Sequence, residues 1–337
     1  MATAVAKKFD SSNNGPKDPS EYGILWIQWL VASSLLIAEL LVLGIKFLIT
    51  AIESLYRTFL PPMEKSLQGE IVLITGTGHG IGRELVYQMA PLGCTLVCWD
   101  VDESGNQETI KLLADRGYKK NVHAYKCDVS NREEVLEVAA RVRAEVGDVT
   151  MLVNNAGIMP CRPLPSHKPQ EIRKIFDVNV LAHFWTLEAF LPSMVERNHG
   201  HIVALSSMCG IVGIPNVVPY CASKFAVRGL MESLYEELRA ANGGGGAVKS
   251  QVKFTTVYPI MVGTGLVKKP RNRFPALLSL LPPEKVATNI IKAVRRNYKE
   301  LSIPAPMLTL DRIARLLPGK FIQHTKDFMD TGLDPDD

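Results

Sequence analysis

Two hydrophobic regimes divide this chain. After a polar start, positions 24–52 are apolar almost without a break, with Gln28, Glu39 and Lys46 as the main interruptions. That stretch exceeds the ~20 apolar residues that cross a bilayer core. From Glu70 onward the pattern changes. Short β-branched runs at 70–74, 95–99, 122–126 and 150–153 alternate with stretches of helical periodicity such as 83–90. Strand and helix signals keep alternating to about Pro304, which predicts a parallel sheet covered on both faces.

The turn after the first strand reads Thr75-Gly76-Thr77-Gly78-His79-Gly80-Ile81-Gly82. A glycine-rich turn between a strand and a helix is the setting of a dinucleotide site. Gly76 permits the tight turn, while Gly80 and Gly82 let backbone approach a pyrophosphate and the helix pack on the sheet. Amides at the helix start would face the phosphates. The loop lacks the closing Gly-Lys-Ser/Thr of a nucleotide-binding P-loop, and a plain strand-to-helix turn is the bland alternative. The second strand ends at Asp100, where a carboxylate can bind a ribose 2′-hydroxyl and repel a 2′-phosphate. Val101, Asp102 and Glu103 follow, with no Arg or Lys. This favours NAD over NADP.

Further along, Tyr220-Cys221-Ala222-Ser223-Lys224 places a phenol and an ammonium four positions apart, on one helix face. A neighbouring cation makes a phenol easier to deprotonate. Taken alone, the pair is common on surface helices. Here the glycine loop, Asn154-Asn155-Ala156-Gly157 and Ser206-Ser207 precede it in order.

On these motifs the chain resembles the short-chain dehydrogenase/reductase family, from about residue 69 to about residue 304. The resemblance implies an α/β, Rossmann-type doubly wound parallel seven-stranded sheet, ordered 3-2-1-4-5-6-7. It implies cofactor contacts at Gly76, Gly80, Ile81, Gly82, Asp100, Asp128, Asn155, Ala156, Gly157, Tyr220, Lys224 and Thr264. The catalytic residues it implies are Asn179, Ser207, Tyr220 and Lys224. Ser207 stands thirteen positions before Tyr220 (220 − 207), the family spacing, which leaves Ser206 a structural role. One departure is Pro259-Ile260, where the family often has Pro-Gly. In the implied reaction Tyr220 is the general base, its pKa brought down from about 10 by Lys224 and the cationic nicotinamide. Ser207 orients the substrate oxygen, and Asn179 holds a water that links Lys224 to solvent.

Within the family, Gly78-His79-Gly80, the run from Asp128 to Glu134 and the run from Pro192 to Val203 look like the 16C group, which holds epidermal retinol dehydrogenases and 17-beta-hydroxysteroid dehydrogenases. That group acts on lipophilic alcohols at membranes or lipid droplets. The resemblance therefore implies the endoplasmic reticulum membrane or a lipid droplet, a cytosolic catalytic domain and a homodimer formed through the helices flanking the fifth strand.

The expected organisation is a flexible N-terminus at 1–20, a membrane-anchoring helix or hairpin at 21–60, a catalytic domain at 61–320 and a polar tail at 321–337. An interfacial amphipathic helix also suits 21–60, with Tyr22, Trp26 and Trp29 at the headgroups. Glu39 is awkward for a span, because a charge at the bilayer centre costs about 3 kcal/mol. Pro61-Pro62 would separate anchor from enzyme. Thirty-eight basic residues nearly balance 34 acidic ones, so a nucleic-acid partner is disfavoured. The six cysteines show no metal-ligand or disulfide spacing and read as reduced core thiols. His199 and His201 flank Gly200 without the pattern of a metal site, and no metal is expected. The glycine run 243–246 reads as a solvent loop.

Between Cys209 and Ser223 no residue is charged. Met208, Ile211, Val212, Ile214 and Val217 are candidates for the pocket, with residues 263–283 covering the substrate. A lipophilic alcohol (a retinoid, steroid or long-chain alcohol) suits this lining better than a phosphorylated one. Arg271 and Arg273 beside the apolar run 274–281 also suit an acidic lipid surface. Two alternatives are an NADPH-dependent carbonyl or 3-ketoacyl reductase on the same fold and a non-catalytic lipid-surface protein. Asp100 weighs against the first, and the intact Asn179, Ser207, Tyr220 and Lys224 against the second.

Overall fold

The computed structural model describes residues 19–118, 121–241, 250–274 and 279–336. Most of the expected flexible N-terminus, the glycine run 243–246 and residues 275–278 of the expected substrate cover lie outside the described residues. The chain forms two units, Met1–Met63 and Glu64–Asp337.

In the first unit, Pro19–Phe59 is one helix of 41 residues rather than a hairpin of two arms. At 1.5 Å per residue it is about 60 Å long, twice a bilayer's hydrocarbon thickness. None of its apolar window, Gly23–Arg57, is buried. Trp26 and Trp29 meet edge to face at 5.9 Å. Pro61 and Pro62 follow the helix end, as expected of residues that cannot continue the backbone ladder.

The second unit contains strands β1 (Ile71–Thr75), β2 (Thr95–Asp100), β3 (Val122–Lys126), β4 (Met151–Asn154), β5 (His201–Leu205), β6 (Lys253–Pro259), β7 (Pro270–Arg271), β8 (Glu300–Ile303) and β9 (Gly332–Leu333). Seven of them form one sheet in the order β3-β2-β1-β4-β5-β6-β8. Every pair in this sheet is parallel. Successive strand residues feed opposite faces, as the two-residue period requires. Val72 and Ile74 of β1 join Leu85, Val86 and Met89 in one core layer. Leu73, between them, joins Trp99, Leu152 and Phe190 in the other. Apolar helices on both sides explain why these strands read as continuous apolar runs.

The strand order reverses direction between β1 and β4, and the crevice at their carboxyl ends is where this architecture binds ligands. Residues 321–336 do not trail away as a polar tail. Gly319–Met329 is a helix, and β9 pairs antiparallel with β7. The backbone N–H of Asp336 then donates to the carbonyl of Cys161 at 2.9 Å. Their tertiary contacts explain what composition alone obscured: Leu333 is buried, and Asn216 Nδ2 donates to its carbonyl at 2.8 Å.

Candidate active site

The loop after β1 enters a helix, Gly80–Met89, whose N-cap, His79, makes no side-chain capping bond. Its first amides therefore remain available to an anion. Gly76 and Gly80 take left-handed φ values of 75° and 60°. Gly82 has no room for a side chain, since a Cβ there would lie 1.9 Å from the Gly76 carbonyl oxygen. Asn155 clamps the loop, its Nδ2 donating to the carbonyls of Thr75 (2.8 Å) and Gly76 (3.1 Å). Thr75 Oγ1 accepts from the backbone N–H groups of Asn155 and Ala156. These contacts tie β1 to β4 at the floor of the crevice.

Asp100 is not a solvated strand end, being 8% exposed. Its Oδ2 accepts from the Gly78 N–H at 2.7 Å and its Oδ1 from the Asp102 N–H at 2.8 Å. The carboxylate therefore braces the loop as well as facing the cleft. Arg83 is the cation nearest the loop by sequence, and its guanidinium is committed to the Gly78 carbonyl, Thr109 and Glu108. Asp128 accepts from Ser130 and from Lys174 Nζ, the latter at 3.2 Å. Burial pushes its carboxyl up, but the Ser130 bonds and the Lys174 ammonium outweigh this and hold it below its ordinary value. Lys174 was invisible in the sequence, 46 residues from its partner on a helix with no motif.

A cavity of about 320 Å³ runs past Gly76, Gly80, Ile81, Asp100, Asp128 and the Asn155–Gly157 run to Ser207, Tyr220, Lys224 and Thr264. All the sequence-derived cofactor positions except Gly82 line it, and Gly82 lies packed beneath the loop. Free amides, side-chain-free glycines and an acidic rim suit a dinucleotide. Thr264 reaches the loop closely: a Cβ on Gly80 would meet its side chain at 3.0 Å.

The four candidate catalytic residues gather at the inner end. Asn179 sits in a π-helical turn, Asp177–Leu181, between two α-helices. Such a turn interrupts the α-helical ladder and recurs at functional sites. Both Asn179 N–H bonds are used, by the Ile158 carbonyl (2.9 Å) and Ser223 Oγ (3.0 Å), while its Oδ1 accepts from the Ile158 N–H (2.9 Å). Ser223 in turn donates to the Tyr220 carbonyl at 2.7 Å. Asn179 is thus linked to the Tyr220 helix, Val218–Ala241, through a residue the sequence did not single out.

Lys224 Nζ donates to the Leu205 carbonyl at 2.8 Å and lies 5.6 Å from the centre of the Tyr220 ring. Burial lowers its pKa to about 8. Ser206 donates to the Lys224 carbonyl at 2.8 Å, a structural bond. Ser207 Oγ donates to the Pro259 carbonyl at 3.3 Å and accepts from the Cys209 N–H at 3.1 Å. The protein's own surroundings push the Tyr220 phenol upward. Burial pushes it well above its usual value, the nearby thiols Cys209 and Cys221 add to this, and only a hydrogen bond with Ser207 opposes it.

A second cavity, of about 300 Å³, meets the first at Met159, Ser207, Tyr220, Ile260 and Val267. Met208, Val212, Ile214, Met261, Met307, Met329 and Leu333 make most of its wall apolar. Ile211 and Val217 belong to the core instead. Thr325, Lys326 and Met329 bring the C-terminal helix into the lining. Among the described residues no group of three His, Cys, Asp or Glu side chains is placed to hold a metal. The six cysteines are free, His199 pairs with Glu70 at 3.1 Å, and His201 is buried against Thr255.

A family model described as short chain dehydrogenase matches residues 70–273. Human 17-beta-hydroxysteroid dehydrogenase 13 is 42% identical over 285 residues, 85% of this chain and 91% of that protein. Mouse epidermal retinol dehydrogenase 2 is 41% identical over 284 residues, 84% of this chain and 90% of that protein. Among solved structures, a short-chain dehydrogenase/reductase from Burkholderia phymatum in complex with NAD superposes with a TM-score of 0.65 at 28% identity, covering 74% of this chain and 94% of its own.

Proposed function

We propose, from the premise that this chain belongs to the short-chain dehydrogenase/reductase family, that it oxidises a lipophilic alcohol with NAD at a membrane or lipid-droplet surface. Membership makes it an oxidoreductase that uses a nicotinamide cofactor. The substrate reading rests on one observation above all: a polar, glycine-floored cavity and an apolar, methionine-rich one meet at Ser207 and Tyr220. A redox centre bridging a dinucleotide and a lipophilic substrate has that form.

When bound, the nicotinamide accepts the hydride from the carbinol carbon. The protein's part is proton handling and orientation. Tyr220 is the general base: with its own proton passed toward Lys224 and solvent, and the phenolate favoured by Lys224 and the positive nicotinamide ring, its phenolic oxygen takes the hydroxyl proton of the alcohol. Ser207, which stands with Tyr220 where the two cavities meet, orients the alcohol oxygen. Lys224, held by Leu205, supplies the nearest positive charge. Asn179 has both side-chain N–H groups committed, so we assign it the positioning of Ile158 and the Tyr220 helix. Gly76, Gly80, Ile81, Gly82, Asn155, Ala156, Gly157 and Thr264 would cradle the dinucleotide, with Asp128 at its adenine end. Asp100 supports NAD over NADP, because a buried carboxylate repels a 2′-phosphate and Arg83 is already engaged. The Pro19–Phe59 helix serves as membrane anchor, and exposed Phe184 and Phe225 mark where a second copy would pack.

The test uses the full chain in liposomes, offered NAD or NADP with retinol, a steroid alcohol and a long-chain alcohol, beside Tyr220→Phe. The expectation is NADH formation with at least one of these lipids, lost in the variant. Turnover with NADP alone would overturn the Asp100 assignment, and no turnover despite NAD binding would overturn the catalytic reading.

A further inference from the structure

Helix Gly319–Met329 buries none of its eleven residues. The preceding helix, Pro306–Ala314, buries only Leu308. Together with their connection they expose Leu310, Ile313, Leu316, Leu317, Phe321 and Phe328, with Leu316 84% exposed. Single exposed apolar side chains are ordinary on any protein, but a cluster of large ones marks a contact surface. An eleven-residue helix is too short to be stable by itself in water. One side of this helix contributes Thr325, Lys326 and Met329 to the apolar cavity. Elsewhere, among the described residues, its Phe328 meets the half-buried Phe274 ring at 5.4 Å.

Three observations point to a phospholipid surface as the occupant. First, the charge has the right sign. Residues 306–329 carry Arg312, Arg315, Lys320 and Lys326; Arg312 pairs with Glu300 and Arg315 with Asp311, which leaves Lys320 and Lys326 against Asp327. Arg273 lies 5.7 Å from the centre of the Phe274 ring and 5.1 Å from that of Phe328, an apolar stem beside an exposed cation. Basic side chains among aromatic and aliphatic ones are the composition of interfacial segments. Second, the chain is tethered. The apolar helix ends at Phe59 and the catalytic unit begins at Glu64, so both belong to one chain with only residues 60–63 between them. Third, the face adjoins the cavity that takes the substrate, and an alcohol dissolved in lipid reaches a cavity most directly through a mouth set against that lipid.

We propose that the apolar, basic face formed by residues 310–328 is a phospholipid-docking surface, separate from the N-terminal helix, which seats the mouth of the apolar cavity on the membrane. The delivery role, though not the docking itself, rests on the lipophilic-alcohol reading above.

The test places an environment-sensitive fluorophore on Leu316→Cys and, separately, on Phe321→Cys in the full chain. A control label goes on Glu137→Cys, an exposed position on helix Arg132–Glu145. The protein is reconstituted in phosphatidylcholine vesicles with and without phosphatidylserine. Docking predicts that the 316 and 321 labels are quenched by lipid-borne nitroxide and shielded from aqueous iodide, more so with phosphatidylserine, while the 137 label behaves oppositely. Iodide access at 316 and 321 equal to that at 137 overturns the proposal. Shielding from both quenchers, with energy transfer between labelled copies, overturns it in favour of a protein interface. In a second arm, Leu316→Glu/Phe321→Glu should raise KM for vesicle-borne retinol about tenfold with kcat unchanged, given the apolar area removed from the interface. Its KM for a short water-soluble alcohol should stay constant. An equal rise for both alcohols sinks the delivery role. If the wild type does not turn over retinol at all, the substrate reading fails while the fluorescence arm still decides the docking.

Discussion

Replacing Gly82 by alanine should damage both stability and cofactor binding. A Cβ at this position would stand 1.9 Å from the Gly76 carbonyl oxygen, 2.7 Å from its carbonyl carbon and 2.7 Å from Asn155 Nδ2. Two of these atoms are backbone, so no side-chain rotation relieves the clash. The loop must move by more than an ångström, and in moving it loosens the bond from Asn155 Nδ2 to the Gly76 carbonyl. Overpacking of this kind costs about 1–3 kcal/mol, and a loosened hydrogen bond adds roughly 0.5–1.5 kcal/mol. The sum is about 2–4 kcal/mol. For a unit of this size each kcal/mol lowers the melting midpoint by about 2–4 °C, giving a drop of roughly 5–15 °C. The assay is thermal unfolding with and without saturating NAD, beside Gly213→Ala. Gly213 has no atom within 4 Å of its ideal Cβ and no left-handed φ, so its variant should melt within about 2 °C of wild type. NAD should stabilise the wild type and the Gly213 variant but barely affect the Gly82 variant. A Gly82→Ala protein that melts like wild type and still gains stability from NAD would refute the argued close approach of helix and loop.

Asn179→Ala should cost about 1–3 kcal/mol in chemical unfolding, because it leaves the half-buried Ile158 N–H and carbonyl and the buried Ser223 hydroxyl short of a partner; an unchanged midpoint would show that these groups do without it. Lys224 has a folded pKa of about 8 against an ordinary 10.5, so the unfolded chain holds more protons between those values and wild-type stability should rise with pH across that window. In Lys224→Met that slope disappears, and parallel stability curves from pH 8 to 10 would sink the assignment. Burial lowers His183 to about 3 from 6.5, leaving its Nδ1 without a partner. Here the unfolded state takes the proton first, so stability falls as pH drops from 6.5 toward 3, at up to about 1.4 kcal/mol per pH unit. His183→Leu should flatten this decline in urea midpoints, and equal acid sensitivity in both proteins would count against it.

The strand runs, the glycine loop and the Tyr220–Lys224 pair were legible in the sequence because each rests on local constraint, whereas the strand order and the choice of Asn179 and Ser207 came from the resemblance to the family. A buried parallel strand needs an apolar run, a close backbone approach needs glycine, and a shared helix face needs a four-residue spacing. Lys174 beside Asp128 and Ser223 between Asn179 and the Tyr220 carbonyl were not legible, since each depends on partners 44 or 46 residues distant. The C-terminal helix was hidden for the same reason. Its composition is polar enough to pass for a tail, and only the fold reveals that Met329 lines the cavity holding Tyr220.

The upward push on Tyr220 from its surroundings has a different origin. Spacing placed a cation beside a phenol and suggested a lowered pKa, yet spacing says nothing about the local dielectric. Burial disfavours whichever form is charged, so it raises the phenol and lowers the lysine together. The uncharged, largely apolar stretch between Ser207 and Tyr220 that suggested a lipophilic substrate also helps exclude water here. Substrate preference and proton poise therefore share one physical cause. A substitution that admitted water to the cavity to accommodate a polar alcohol would also move Tyr220 and Lys224 back toward their ordinary, charged-at-the-extremes behaviour. Selecting for a new alcohol at Met208 or Ile214 should consequently shift the pH profile along with KM.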